Sequence, residues 1–98
     1  MDGVIVDELN TLARAAAEQV AGPGAIEQIE IESGVDFDDR PAYHFSFLID
    51  QKRATNRLGL IMIRLRQRLG DDLAARGDTH IPIIRILDRE DWGRRGNA

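Results

Sequence analysis

Four arginines recur through the middle of the chain at spacings that a helix would gather. Arg53, Arg57, Arg64 and Arg68, taken at about 100° per residue, fall along one flank. Guanidinium groups in such a row suit phosphate oxygens or the carboxylates of another protein, because their fork of donors matches either anion. Phosphate contacts would bring a strong dependence on salt. A nucleic-acid binder is expected to be a basic domain, however, and this chain has a sequence pI near 5.1 and a formal net charge of -4. No aromatic residue interleaves with these arginines to stack on bases. The plain alternative is a helix flank that is solvated or paired within the chain.

The net charge conceals an asymmetry. Residues 1–50 hold eleven acids against Arg14 and Arg40, whereas residues 51–68 hold Lys52, Arg53, Arg57, Arg64, Arg66 and Arg68 and no acid. Such a division marks a partner-binding face or an internal complement between the two halves.

Other groupings carry less chemistry. Asp36, Asp38 and Asp39 resemble a fragment of a calcium loop but lack the glycine at the sixth position and the bidentate glutamate at the twelfth; they read as an acidic turn. Glu27, Glu30 and Glu32 with His44 would share the open face of a sheet, where solvated strand residues are the expectation ahead of a metal site. His80 shows no ligand spacing to anything nearby. There is no Gly-rich phosphate loop, nucleophile elbow or HExxH, and Ser33 and Ser46 sit in no nucleophile setting. The absence of cysteine removes disulfides, thiol nucleophiles and thiolate zinc sites. The expectation is a non-enzymatic protein with neither cofactor nor metal.

The elements that would position these groups follow from periodicity. Val4 to Ala21 reads as a helix with Ile5, Leu9, Leu12, Ala16 and Val20 buried, Asp2 as a possible cap, and Gly22-Pro23-Gly24 as its stop. Ala25 to Val35 reads as a strand, with Ile29, Ile31 and Val35 opposed to Gln28, Glu30 and Glu32. Asp36–Pro41 is a turn. Ala42 to Asp50 alternates Tyr43, Phe45, Phe47 and Ile49 against His44, Ser46 and Leu48, the clearest period-2 signal in the chain. Gln51 to Gly77 reads as one long helix whose stripe is Ala54, Leu58, Ile61, Met62, Leu65, Leu69 and Leu73; Leu60 and Ile63 fall outside it and call for a second burial. Thr79 to Asp88 is a strand apolar on both faces, with Pro82 arguing for an edge or bulge. Arg89–Ala98 reads as a largely irregular tail.

The result is one α+β domain over residues 1–98 in the order α-β-β-α-β. It implies a three-stranded, mainly antiparallel sheet with two helices on one face, either a split βαβ unit (half of a ferredoxin-like fold) or a KH-like arrangement. The segment IRLRQRLGDDLAARGDTHIPIIRILD resembles the ribosome-binding factor A family in its basic helix, short loop, Pro-containing strand and terminal Asp. That resemblance implies a KH-like fold and RNA binding. The element order also resembles the cytoplasmic domain of cation diffusion facilitators, which carries the architecture alone.

No apolar run approaches the roughly 20 residues that span a bilayer, and MDGVIVDELN lacks the pattern of a secretory signal. A cytoplasmic protein without a membrane partner is expected. The function that fits is a protein-interaction module, a small regulatory or accessory subunit of antitoxin-like kind. It would act through a homodimer or companion-protein interface on Arg53, Arg57, Leu60, Ile63, Arg64 and Arg68. The alternative is an RNA-binding accessory factor, disfavoured by the acidic pI.

Overall fold

A computed structural model describes residues 6–94. The elements run α1 (Val6–Ala21), β1 (Ile26–Val35), β2 (Pro41–Ile49), α2 (Leu58–Ala75), β3 (Ile81–Leu87) and α3 (Arg89–Arg94). The expected buried Ile5 and the Asp2 cap lie outside the described residues. The sheet order is β1-β2-β3, with β1 antiparallel to β2 and β2 parallel to β3. The sheet is therefore mixed, and β2 is its centre; the split βαβ arrangement, with β1 central, does not occur. The reason is local. The β1–β2 hairpin leaves the far edge of β2 free, and α2 returns the chain to that edge in a parallel direction.

Register across the sheet sorts the two faces. Ile31, Phe45 and Ile84 form one row and Ile29, Phe47 and Ile86 the next, on the face that α1 and α2 cover. Phe45, Phe47, Ile61, Leu65, Leu69 and Leu73 are fully buried there. The alanines of α1 allow close approach, since Ala13, Ala16 and Ala17 have no exposed surface. The opposite face carries the rows Glu32–His44–Ile83 and Glu30–Ser46–Arg85. At one end of it, α3 lies against β2 and β3 and buries Trp92. The short helix thus replaces the beginning of the expected irregular tail. Leu48, out of phase with the core aromatics, is buried as well. Val35 departs from the expected burial: beyond Ile31 the helix layer no longer covers β1, and Ser33 and Val35 are both exposed.

The largest correction concerns the central helix, which starts at Leu58 and not at Gln51. Asp50 accepts the Lys52 amide at 3.0 Å, and successive turns follow through Arg53 and Ala54. Thr55 then donates from its backbone (2.9 Å) and hydroxyl (3.2 Å) to the Ala21 carbonyl, and Asn56 Nδ2 donates to Val20 O at 2.7 Å. These groups satisfy the orphaned last carbonyls of α1. Thr and Asn side chains engaged this way hold the chain in a non-helical path. Gly22 leaves α1 at φ 103°, and a Cβ there would lie 2.8 Å from Thr55 Cγ2. Ala54 is still packed on the core, but from a loop.

Candidate interaction surface

The arginine row divides once the helix boundary is fixed. Arg53 lies in the turn before α2 and pairs with Asp50 at 3.7 Å. Arg57 occupies the N-cap position with extended backbone and makes no side-chain cap bond. Arg68 pairs with Asp72 at 3.2 Å and donates to Gln19 Oε1 on α1. It shares a shallow groove between α1 and α2 with Arg64, Gln67 and Asp71. Among the described residues, Arg57, Arg64, Arg66 and Arg85 have no acidic partner within ion-pair distance. The two halves of the chain meet elsewhere, through Arg76–Glu8 (2.8 Å) and Arg89–Glu27 (2.6 Å).

Leu60 and Ile63 are exposed on the outer face of α2, as their phase requires. Met62, expected in the buried stripe, is 41% exposed. It sits beyond the rim of the sheet, because the layer beneath α2 ends at β3. With Arg66 it forms one wall of a groove of about 500 Å³, and Ile81, Pro82, Ile83 and Ile84 form the floor. The other wall is the β1–β2 turn, with Val35 and Phe37.

That turn is built to hold its shape. Asp36 Oδ1 accepts the amides of Asp38 (2.8 Å) and Arg40 (3.0 Å), and Oδ2 accepts Arg40 Nε at 2.9 Å. The Asp36 amide donates to Arg40 O, and Asp39 takes the left-handed conformation at φ 59°. The Arg40 amide, opposed by desolvation and aided by the Asp38 amide and the Arg40 guanidinium, holds the Asp36 carboxyl below its ordinary value. At the tip of this fixed turn, Phe37 is 97% exposed. The periodicity of the strands carries no signal for Phe37, and the helical period leaves Arg66 outside the row of Arg53, Arg57, Arg64 and Arg68. The hint available was an aromatic residue inside an otherwise polar turn.

A second cluster joins the α2–β3 loop to β2. Tyr43 donates its hydroxyl to Asp78 Oδ2 at 2.6 Å, and Asp78 Oδ1 lies 2.6 Å from His80 Nδ1 and 2.9 Å from the His80 amide. The Tyr43 and His80 rings stack at 4.0 Å. Asp78 is buried. A carboxylate between a tyrosine and an imidazole orients the ring, and the arrangement ties His80, which had no apparent neighbour in the sequence, to the middle strand.

On the open face His44 Nε2 lies 3.0 Å from Val35 O, and Glu32 is its cross-strand neighbour. Among the described residues, no three His, Asp or Glu side chains gather as metal ligands. Among the same residues, no helix is long and apolar enough to cross a membrane. The chain matches no protein family, no curated protein and no solved structure.

Proposed function

We propose that this protein is a non-enzymatic interaction module, a small cytoplasmic regulatory or accessory subunit that works by covering a surface of another chain or of its own copy. The observation that carries the reading is the state of β3. It is an edge strand, apolar on both faces, beside a groove whose walls present exposed Met62 and Phe37. Exposed apolar edges of this kind are templates for pairing unless something covers them. Leu60 and Ile63, on the outer face of α2, extend the apolar surface beyond the groove.

One observation favours a second reading, an RNA-binding accessory factor. Arg57, Arg64 and Arg66 face water and, among the described residues, lack acidic partners, with Arg66 beside the β3 edge and Arg64 on the α1 side of α2. Leu60 and Ile63 interrupt that surface, and a phosphate backbone has no use for them.

Size-exclusion chromatography with light scattering, recorded at 260 and 280 nm at low and high salt, tests both readings. A clean protein absorbance ratio at both salts supports the interaction module. A high ratio that collapses as salt rises, and that Arg57→Glu with Arg64→Glu abolishes while circular dichroism stays unchanged, sinks it in favour of RNA.

A further inference from the structure

The two edges of the sheet are treated differently. β1 has a register shift between Ile26 and Gln28 and presents Glu30 and Glu32 on its open face. Bulges and charges are the devices that keep an edge from pairing. β3 has only Pro82 and Arg85 to interrupt Ile81, Ile83, Ile84, Ile86 and Leu87. Building on the interaction-module reading, we propose that the β3 edge takes an extended segment of a companion chain as a fourth strand. That segment carries apolar residues around a central pair of acids.

The charge of the site selects this occupant. Arg66 on the helix side and Arg85 on the strand lack acidic partners among the described residues. Asp36, the acid lining the groove, is already occupied by two amides and Arg40. A strand laid along β3 would place successive side chains on opposite faces of the sheet. Two adjacent acids would therefore face Arg66 and Arg85 respectively, while flanking apolar residues cover Ile83 and Phe37.

A second copy is the poorer occupant. Gly70 packs on Pro82, with a Cβ there 3.8 Å from the proline ring. One helical turn earlier, Arg66 stands level with Ile84. Antiparallel pairing of β3 with its own copy about Ile84 brings the two Arg66 side chains together at the dyad. Centring the pair on Arg85 instead sets Arg85 against itself. Like charges directly opposed are unfavourable in either register.

The cysteine-free chain makes the test direct. Thr79→Cys puts one thiol two residues ahead of β3, and disulfide exchange then tethers heptapeptides that carry a cysteine at either end. The heptapeptide portions are TVVEDVT and its basic counterpart TVVKKVT, each made with the cysteine added before the first residue or after the last. The protein is net negative, so general electrostatics favours the basic peptide. The expected result is at least a tenfold larger mixed-disulfide fraction for the acidic peptide at equal thiol. Slower amide exchange across Ile81–Leu87 should accompany it, and Arg66→Gln with Arg85→Gln should lose the preference without changing the circular dichroism. Equal capture of both peptides, preference for the basic one, or unprotected β3 amides overturns the proposal. A dimer by light scattering in which the β3 amides are protected also overturns it, in favour of a second copy, while leaving the interaction-module reading intact.

Discussion

Replacing Tyr43 by phenylalanine removes one oxygen and leaves the ring. The ring still fills its place in the core and still stacks on His80, so the substitution isolates the hydroxyl that donates to Asp78 at 2.6 Å. Asp78 is buried with 7% of its surface exposed, and it retains the His80 amide and ring nitrogen as neighbours. A hydrogen bond to a charged group contributes about 1.5–3 kcal/mol, and that is the expected loss. For a domain of this size each kcal/mol corresponds to about 4–8 °C in Tm, so the midpoint should fall by roughly 6–24 °C. Urea unfolding followed by Trp92 fluorescence and by far-UV circular dichroism reads the change, and coincident transitions establish that two states suffice. Asp78→Asn and the double variant complete a cycle in which the coupling energy reports the pair itself. A loss below about 0.5 kcal/mol, the ordinary range of an inconsequential substitution, would refute the reasoning. So would zero coupling, since the α2–β3 loop would then not be held through this carboxylate.

Other substitutions test the phase of α2, the loop contact and the turn. Leu65→Ala, at a fully buried position, should cost about 2–5 kcal/mol, while Ile63→Ala, 57% exposed, should stay within about 0.5 kcal/mol; equal costs in urea titration would contradict the helix orientation. Gly22→Ala combines φ 103° with a 2.8 Å approach to Thr55 and should destabilise by more than about 1 kcal/mol, again by urea titration. Because the folded Asp36 carboxyl sits below its ordinary value, its contribution is fully present above the unfolded value of about 3.9 and is lost as pH falls through the folded one. Asp36→Asn should therefore narrow the stability gap to the parent protein as pH drops through that window. A gap that widens on acidification would contradict the sign.

Much of this architecture is legible from local periodicity. The alternation of β2 placed Tyr43, Phe45 and Phe47 on the buried face, and the 3.6-residue stripe located Ile61, Leu65, Leu69 and Leu73. Gly22 stopped α1 where a left-handed residue was needed. The errors arise where the deciding partner is distant in sequence. Thr55 and Asn56 look compatible with a helix until Ala21 and Val20 offer carbonyls from 34 and 36 residues away. Tyr43 reads as a core aromatic because its partner Asp78 is 35 residues off. Met62 fits the apolar stripe by phase, but phase cannot say that the sheet below it ends at β3. Arg66 and Phe37 become neighbours of one groove only once the parallel β2–β3 pairing is known.

The same boundary explains why the exposed residues concentrate where they do. A three-stranded sheet has two edges and two faces, and this chain covers one face with α1 and α2. The six residues of α3 shelter one end of the other. The acids of β1 and its irregular register make one edge unfit for pairing. Among the described residues only Pro82 and Arg85 interrupt the β3 edge, and Ile81, Ile83 and Leu87, each half-buried, leave the rest of it apolar. An edge this apolar exposes the chain to indiscriminate pairing. On the proposed reading a strand of a companion chain covers this edge, and Arg66 and Arg85 restrict which strand can do so.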